Sequence, residues 1–276
     1  MKRYEAQIGA WRIAVELGRL APVAHVGNEY EIGFKDWADA AACATGYDAQ
    51  VILDKVVAAA LQVRDGEVAF ERDTVTFKQR EVVYQLLAWL MYVATREGAL
   101  RVLDFGGSLG SLYYQHRFLF DRLNDIRWGV IEQSHFVHAG RKNFQNRALR
   151  FFEDAKECVE EIQPNFLLLS GVLQYLEYPY QVLAELLDRG LPYVLVDRTM
   201  ARRGMADEIA VQHVPSLIYE ASYPLWLLDA NKVEMCFADH GYEVLDNFDP
   251  FPGSYFGPVG GLMPYQGWFL VKKGSF

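Results

Sequence analysis

The sequence predicts an α/β fold: a mostly parallel sheet covered by helices on both faces, preceded by a helical amino-terminal cap. Three observations carry that prediction. Arg101-Val-Leu-Asp-Phe-Gly-Gly-Ser-Leu-Gly110 runs from an apolar strand through an acid into a glycine turn, and a helical pattern follows. Five strand-like runs between 101 and 199 alternate with helical spacing, the cadence of a sheet with crossover helices. Two later runs, Tyr242-Glu-Val-Leu-Asp-Asn-Phe248 and Gly267-Trp-Phe-Leu-Val-Lys-Lys273, have no helical pattern between them and should pair antiparallel.

Taken in order, residues 1–98 lack the strand–turn–helix cadence and read as mostly helical, over 35–45, 50–62 and 78–96. Gly46-Tyr-Asp48 is a turn between two of these helices, and Phe70-Glu-Arg-Asp73 joins the next pair. Tyr47, Asp48, Arg72 and Asp73 are therefore polar groups on connections, where function concentrates. Tyr4, Ile8, Trp11 and Val15 form a helical stripe suited to packing on the body of the protein. The apolar run at 86–94 is too short to span a bilayer and reads as a buried helix feeding the first strand. After the glycine turn, Leu112, Gln115, His116 and Leu119 recur at helical spacing. Residues 127–133, 149–154, 165–170 and 193–199 are the second to fifth strands. An insertion at about 200–228 precedes a helix at 230–240. A Gly-, Pro- and aromatic-rich loop at 250–266 is long for a hairpin and reads as a surface loop or a substrate lid. The division is thus a helical cap or substrate region, 1–98, and a Rossmann-like domain, 99–276.

The turn separates two cofactor classes by its spacing. A dinucleotide fingerprint needs glycines two and five positions after the first, and the positions counted from Gly106 are Ser108 and Ser111. The pattern present is acid-x-Gly-x-x-x-Gly, with Asp104, Gly106 and Gly110. It resembles the first motif of class I S-adenosylmethionine-dependent methyltransferases, with Ser108 where the middle glycine usually stands. The resemblance implies a three-layer sandwich with a seven-stranded sheet whose terminal strand is antiparallel. It also implies S-adenosylmethionine as cofactor and S-adenosylhomocysteine as product. Gly106, Gly107, Ser108 and Gly110 would cradle that cofactor, with Asp104 suited to its cationic part. By the same resemblance Glu132 binds the ribose, Gln133 lies beside the adenine, and Asp154 with the Ala155 amide reads the adenine edge. Ser170, Gly171 and Gln174 cover the methionine portion.

With Gly46-Tyr-Asp48, Phe70-Glu-Arg-Asp73, Val211-Gln-His-Val-Pro215 and Ile218-Tyr-Glu-Ala-Ser-Tyr-Pro-Leu-Trp226, nearly the whole chain resembles a bacterial methyltransferase-like family. Its members often lie among genes for O-antigen and other surface polysaccharides, which implies a sugar or glycolipid acceptor. In-line methyl transfer needs orientation, worth roughly 7–11 kcal/mol of barrier. An oxygen acceptor also gains from a general base, by roughly 10²–10⁴-fold. Asp197, ending the fifth strand, is placed to be base or hydroxyl anchor, and Arg198 offers a planar fork for a carboxylate or phosphate. His213, Tyr219 and Tyr223 complete the substrate-side candidates.

Composition narrows the field. The 276 residues are 51% hydrophobic, enough for one large core or a core plus a cap. A net charge of -9 argues against nucleic acid as a partner. Cys43, Cys158 and Cys236 are too few and too scattered for a disulfide framework, and His135 with His138 has no companion ligands for a metal. Without a secretory pattern at the start, the expectation is a cytoplasmic protein with no integral membrane association, with homo-oligomerisation left open. Two alternatives stand beside the methyltransferase. A nicotinamide-dependent nucleotide-sugar oxidoreductase would share the sheet, although the Tyr-x-x-x-Lys couple is missing at Tyr47, Tyr178 and Tyr219. A non-catalytic partner subunit would keep the cofactor pocket.

Overall fold

The computed structural model describes residues 3–5, 29–46, 50–72, 74–79, 82–214, 221–250, 255–256 and 263–275. The elements begin with β1 (Arg3–Glu5), β2 (Glu29–Ile32), α1 (Trp37–Cys43), α2 (Gln50–Asp65), β3 (Phe70–Arg72), β4 (Val75–Phe77) and α3 (Tyr84–Glu97). The alternating part follows: β5 (Leu100–Phe105), α4 (Ser111–Phe120), β6 (Ile126–Ile131), α5 (Ser134–Asn143), β7 (Leu149–Phe152), α6 (Ala155–Ile162), β8 (Phe166–Ser170), α7 (Pro179–Leu187) and β9 (Tyr193–Arg202). The chain continues through β10 (Glu208–Val214), β11 (Ala221–Asp229), α8 (Ala230–Asp239), β12 (Tyr242–Phe248), β13 (Tyr255–Phe256) and β14 (Met263–Lys272).

The fold is α/β, as expected. β7, β6, β5, β8 and β9 lie side by side and parallel. β14 runs antiparallel to β9 and to the edge strand β12. These seven strands are the mostly parallel sheet with a reversed terminal strand. Side chains alternate across it, as a two-residue strand period requires. Val102, Leu168, Leu195 and Phe269 face a core shared with α2 to α5. Leu103, Leu167, Val194 and Leu270 face a second core shared with α6 to α8. β8 is buried at all five positions, which is why it reads as an unbroken apolar run. The edge strand β12 buries only its ends.

The region expected to be an insertion at 200–228 forms part of the sheet. β9 continues past the tip of β8, and there β11 pairs with it in parallel, Leu228 opposite Ala201. β10 pairs antiparallel with β11, β2 with β10, and β1 with β2. This wing has its own small core of Tyr30, Met200, Ala210, Leu225 and Leu227. Trp37 of α1 stacks on Trp226 of β11 with ring centroids 6.0 Å apart.

The amino-terminal region is less helical than its sequence suggests. α1, α2 and α3 fall inside or near the expected spans, and Asp36 caps α1 by accepting from the Asp39 amide at 2.9 Å. Phe70-Glu-Arg, read as a connection, is instead the strand β3, paired with β4 and fixed by Phe70 stacking on Phe77 at 4.6 Å. Tyr4 lies on β1 opposite Tyr30, so it belongs to no helical stripe; Ile8, Trp11 and Val15 lie outside the described residues, as do 47–49 and Asp73. Part of the expected loop at 250–266 is also strand, since β14 begins at Met263 and pairs with β13. Among the described residues, no helix is long and apolar enough to cross a membrane.

Candidate active site

The carboxyl tips of β5, β6, β7 and β8, with the middle of β9, bring most of the expected residues to one edge of the sheet, the usual ligand edge of a parallel α/β fold; Asp197, expected to end its strand, lies within β9, which runs on to Arg202. At β5 the chain turns through Gly106 (φ 73°), Gly107, Ser108 (φ 52°) and Gly110 (φ 79°), which opens α4. Side chains are shut out here by contact as well as by torsion. A Cβ on Gly106 would lie 2.5 Å from Val172 Cγ2, and one on Gly110 would lie 2.8 Å from Leu149 Cδ2. A Cβ on Gly107 would run into the Asp104 carboxylate directly beneath it.

Asp104 therefore does not face the surface of the site. It is 1% exposed, and its Oδ2 accepts a 2.8 Å hydrogen bond from the Trp128 indole on β6. Burial pushes its carboxyl up to about 7, against the Trp128 bond and the Arg198 charge, which pull it down. Its place is under the turn, bracing β5 to β6. Ser108 occupies a left-handed conformation that favours glycine, and its amide donates to Glu132 Oε1 at 3.1 Å. Glu132 Oε2 accepts from the Gln133 amide at 2.9 Å. Half-buried at the tip of β6, Glu132 has its carboxyl raised by burial, opposed by those two amides.

Gln133 and Asp154 follow the tips of β6 and β7 as N-caps of α5 and α6. Asp154 Oδ1 accepts from the amides of Lys156 (2.7 Å) and Glu157 (3.1 Å), and Ala155 opens the helix. At β8, Ser170 is buried, Gly171 turns with φ 71°, and a short 3-10 turn, Leu173–Tyr175, follows. Gln174 is 1% exposed; its Nε2 donates to the Arg198 carbonyl at 3.2 Å, while its Oε1 has no hydrogen-bond partner among the described residues.

Asp197 and Arg198 stand on β9 beside this turn. Asp197 is fully buried; its Oδ1 accepts from the Arg198 amide at 2.8 Å and its Oδ2 from Ser170 Oγ at 3.2 Å. Both residues line a narrow cleft together with Phe70, Glu71, Gln115 and His116. Glu71 accepts from Ser111 Oγ at 2.6 Å, and His116 donates Nδ1–H to the Leu112 carbonyl at 2.9 Å. Glu71, Gln115 and His116 were not among the expected site residues. His116 reads in sequence as one position of a helical stripe, and at 2% exposure it is indeed buried.

His213 and Tyr223 are not at this cleft. His213, on β10, has Nε2 3.4 Å from Glu31 Oε2 of β2. Tyr223, on β11, lines a separate cavity of about 240 Å³ with Tyr175, Pro224, Ala41 and Ala44. There the Tyr175 and Tyr223 rings meet edge-on at 6.2 Å, and the Tyr175 hydroxyl donates to Gln212 Oε1 at 2.9 Å. Tyr219 lies outside the described residues.

No protein-family model matches the chain, and no curated protein matches it. Solved structures do resemble it in fold. The 1,6-didemethyltoxoflavin-N1-methyltransferase of Burkholderia thailandensis, crystallised with 1,6-didemethyltoxoflavin and S-adenosylhomocysteine, is 11% identical; the match covers 89% of this chain and 95% of that one, with TM-score 0.43. The [4+2]-cyclase SpnF is 18% identical over 81% of this chain and 95% of that one, with TM-score 0.47. TnmH is 14% identical over 69% of this chain, which spans only 57% of the TnmH chain, with TM-score 0.44. A methyltransferase and a cyclase thus stand side by side among them, and the likeness says nothing of this chain's reaction.

Proposed function

We propose that this chain is an S-adenosylmethionine-dependent methyltransferase acting on a small molecule. The observation that carries the reading is the pairing of the glycine turn with Glu132: a carboxylate ends the strand beside the turn, touches the turn's own amide, and lies where ribose hydroxyls would meet it. The site fits such a group. Gly106 and Gly107 hold open a main-chain cradle that any side chain would fill, and Gln174 keeps a buried acceptor without a donor.

In this reading the turn from Gly106 to Gly110 holds the cofactor backbone-first, and Glu132 accepts from the ribose. Gln133, Asp154 and the Ala155 amide border the adenine, while Ser170, Gly171 and Gln174 cover the amino-acid end. Asp104 supports the turn from below. S-adenosylmethionine, when bound, supplies a methyl group on a sulfonium that is already a good leaving group. The protein's work is to align the acceptor and exclude water. The narrow cleft between β3, α4 and β9 is where the acceptor's reacting group would be held. Both oxygens of Asp197 are engaged with Ser170 and Arg198, so it serves better as an organiser than as the proton acceptor. His116, held by its Nδ1 bond to the Leu112 carbonyl, lines the same cleft and is the better-placed base. Tyr223 and His213 belong to the wing, which together with residues 1–98 would shape the rest of the acceptor site. A sugar-linked acceptor, supported by the sequence resemblance, and a cytoplasmic setting, suited by three scattered cysteines, are the finer parts of this reading.

Calorimetric titration with S-adenosylmethionine, S-adenosylhomocysteine and NAD tests it. Micromolar binding of the first two and none of NAD is expected. Binding of NAD alone would replace the reading with the oxidoreductase. Binding without turnover on any small acceptor would favour the non-catalytic subunit.

A further inference from the structure

We propose that Arg198 is an oxyanion-binding residue, whose two terminal guanidinium nitrogens hold a carboxylate or phosphate group inside the cleft. Ser170 and Asp197 act as positioning residues that fix the guanidinium for that task. The site stands on geometry; only the identity of its oxyanion rests on the proposed function.

Arg198 sits at φ 50°, a left-handed conformation that costs a non-glycine residue and persists only where its surroundings enforce it. The enforcement is visible. The Arg198 amide donates to Asp197 Oδ1 at 2.8 Å, and the Gln174 amide group donates to the Arg198 carbonyl at 3.2 Å. The side chain is anchored by one end only. Its Nε–H donates to Ser170 Oγ at 3.0 Å, and the Ser170 hydroxyl in turn donates to Asp197 Oδ2 at 3.2 Å. Nε itself lies 3.9 Å from Asp197 Oδ2, too far for a hydrogen bond. The carboxylate thus acts through Ser170 and leaves the fork open. Among the described residues, neither terminal nitrogen donates a hydrogen bond, so four coplanar N–H groups remain.

These donors belong to a side chain that is 27% exposed and lines the cleft. Gly171 stands over the guanidinium, where an added Cβ would lie 3.7 Å from Nε, so its missing side chain keeps that face clear. Of the described residues lining the cleft, Arg198 is the permanent cation, while Glu71 and Asp197 are acids. An anion entering there is repelled except along the fork, which fixes its orientation as well as its place. Two sources carry the required chemistry: the carboxylate at the amino-acid end of the cofactor, and an oxyanion on the acceptor.

The test compares wild type with Arg198→Gln and Arg198→Lys by calorimetry, using inorganic phosphate, acetate, S-adenosylhomocysteine and 5′-methylthioadenosine, which lacks the carboxylate. If the cofactor supplies the oxyanion, Arg198→Gln weakens S-adenosylhomocysteine roughly tenfold or more and leaves 5′-methylthioadenosine within about twofold. If the acceptor supplies it, S-adenosylhomocysteine is unaffected, and phosphate or acetate binds the S-adenosylhomocysteine-loaded wild type but binds Arg198→Gln roughly tenfold more weakly. In either case Arg198→Lys, which keeps the charge without the fork, recovers only part of the loss. Equal behaviour of wild type and Arg198→Gln toward every probe, including no binding by either, overturns the proposal. Wild type that binds phosphate but not S-adenosylhomocysteine would refute the proposed function and leave this site standing.

Discussion

Two sets of strand ends meet at β9, and they are built in opposite ways. On one side, the tips of β5 and β8 carry left-handed backbone at Gly106, Ser108, Gly110 and Gly171, with a buried carboxyl group at Asp104. On the other, the wing strands β10 and β11 run through seven consecutive antiparallel pairs, and no residue of either strand has positive φ. In the wing, His213 of β10 pairs with Glu31 of β2, and Gln212 of β10 accepts from Tyr175 of the 3-10 turn that follows β8. At the tips, two groups are left over among the described residues: Gln174 Oε1 has no donor, and the Arg198 fork is open. Left-handed backbone and open polar groups thus stand side by side at the tips, where a ligand can relieve them, whereas β10 and β11 keep extended backbone throughout.

The largest effect expected from breaking this contrast is at Gly106. Gly106→Val puts a Cβ into Val172 at a left-handed position, a combined penalty of roughly 2–5 kcal/mol. S-adenosylhomocysteine affinity should fall by roughly 100-fold or more, read by calorimetry, with the helical circular dichroism retained. His213→Ala in the wing should leave that affinity within about twofold, because a half-exposed pair contributes little. A comparable loss in both variants would erase the distinction.

Asp104 sharpens the comparison through pH. Its carboxyl is raised to about 7 by burial, so the folded protein holds a proton that the unfolded chain releases near pH 4. The stability this contributes is complete below pH 4 and is lost as pH rises through 7, by up to about 4 kcal/mol. Asp104→Asn, whose amide oxygen can still accept from Trp128, should flatten the dependence of thermal unfolding on pH between 4 and 8 and unfold at the higher temperature at pH 8. An unchanged slope would mean that Asp104 is ionised throughout.

Next in size is Glu132→Ala, expected to weaken S-adenosylhomocysteine by roughly 1–3 kcal/mol through loss of a charged acceptor. The smallest effect belongs to Ser108→Gly. Relief of left-handed strain should stabilise the fold by roughly 0.5–1 kcal/mol, seen as a modest rise in Tm. Destabilisation instead would show that the Ser108 side chain, and not its amide alone, holds the turn.

The tips were legible in the sequence because their requirements are local. Gly106, Gly107 and Gly110 are the residues that φ and contact demand, and the acids follow strands whose buried faces leave apolar runs. The wing was not legible because its pairings are distant. Glu31 pairs with Val211, and neither segment signals its partner. β3 was missed for a related reason: three residues with one aromatic read as a connection until Phe77 stacks on Phe70. His213 and Tyr223 were grouped with Asp197 by nearness in the chain, yet β10 and β11 carry them away from the cleft. His116 escaped notice because a histidine on the buried face of a helix has the spacing of core.

The central claim is that a cofactor lies along the tips of β5 to β8 and leaves the wing untouched. Hydrogen exchange read by mass spectrometry, with and without saturating S-adenosylhomocysteine, tests it most directly. Slower exchange is expected at 104–110, 131–133, 153–156 and 170–174, with 208–214 and 221–229 unchanged. Protection confined to the wing strands, with none at the glycine turn, would contradict it.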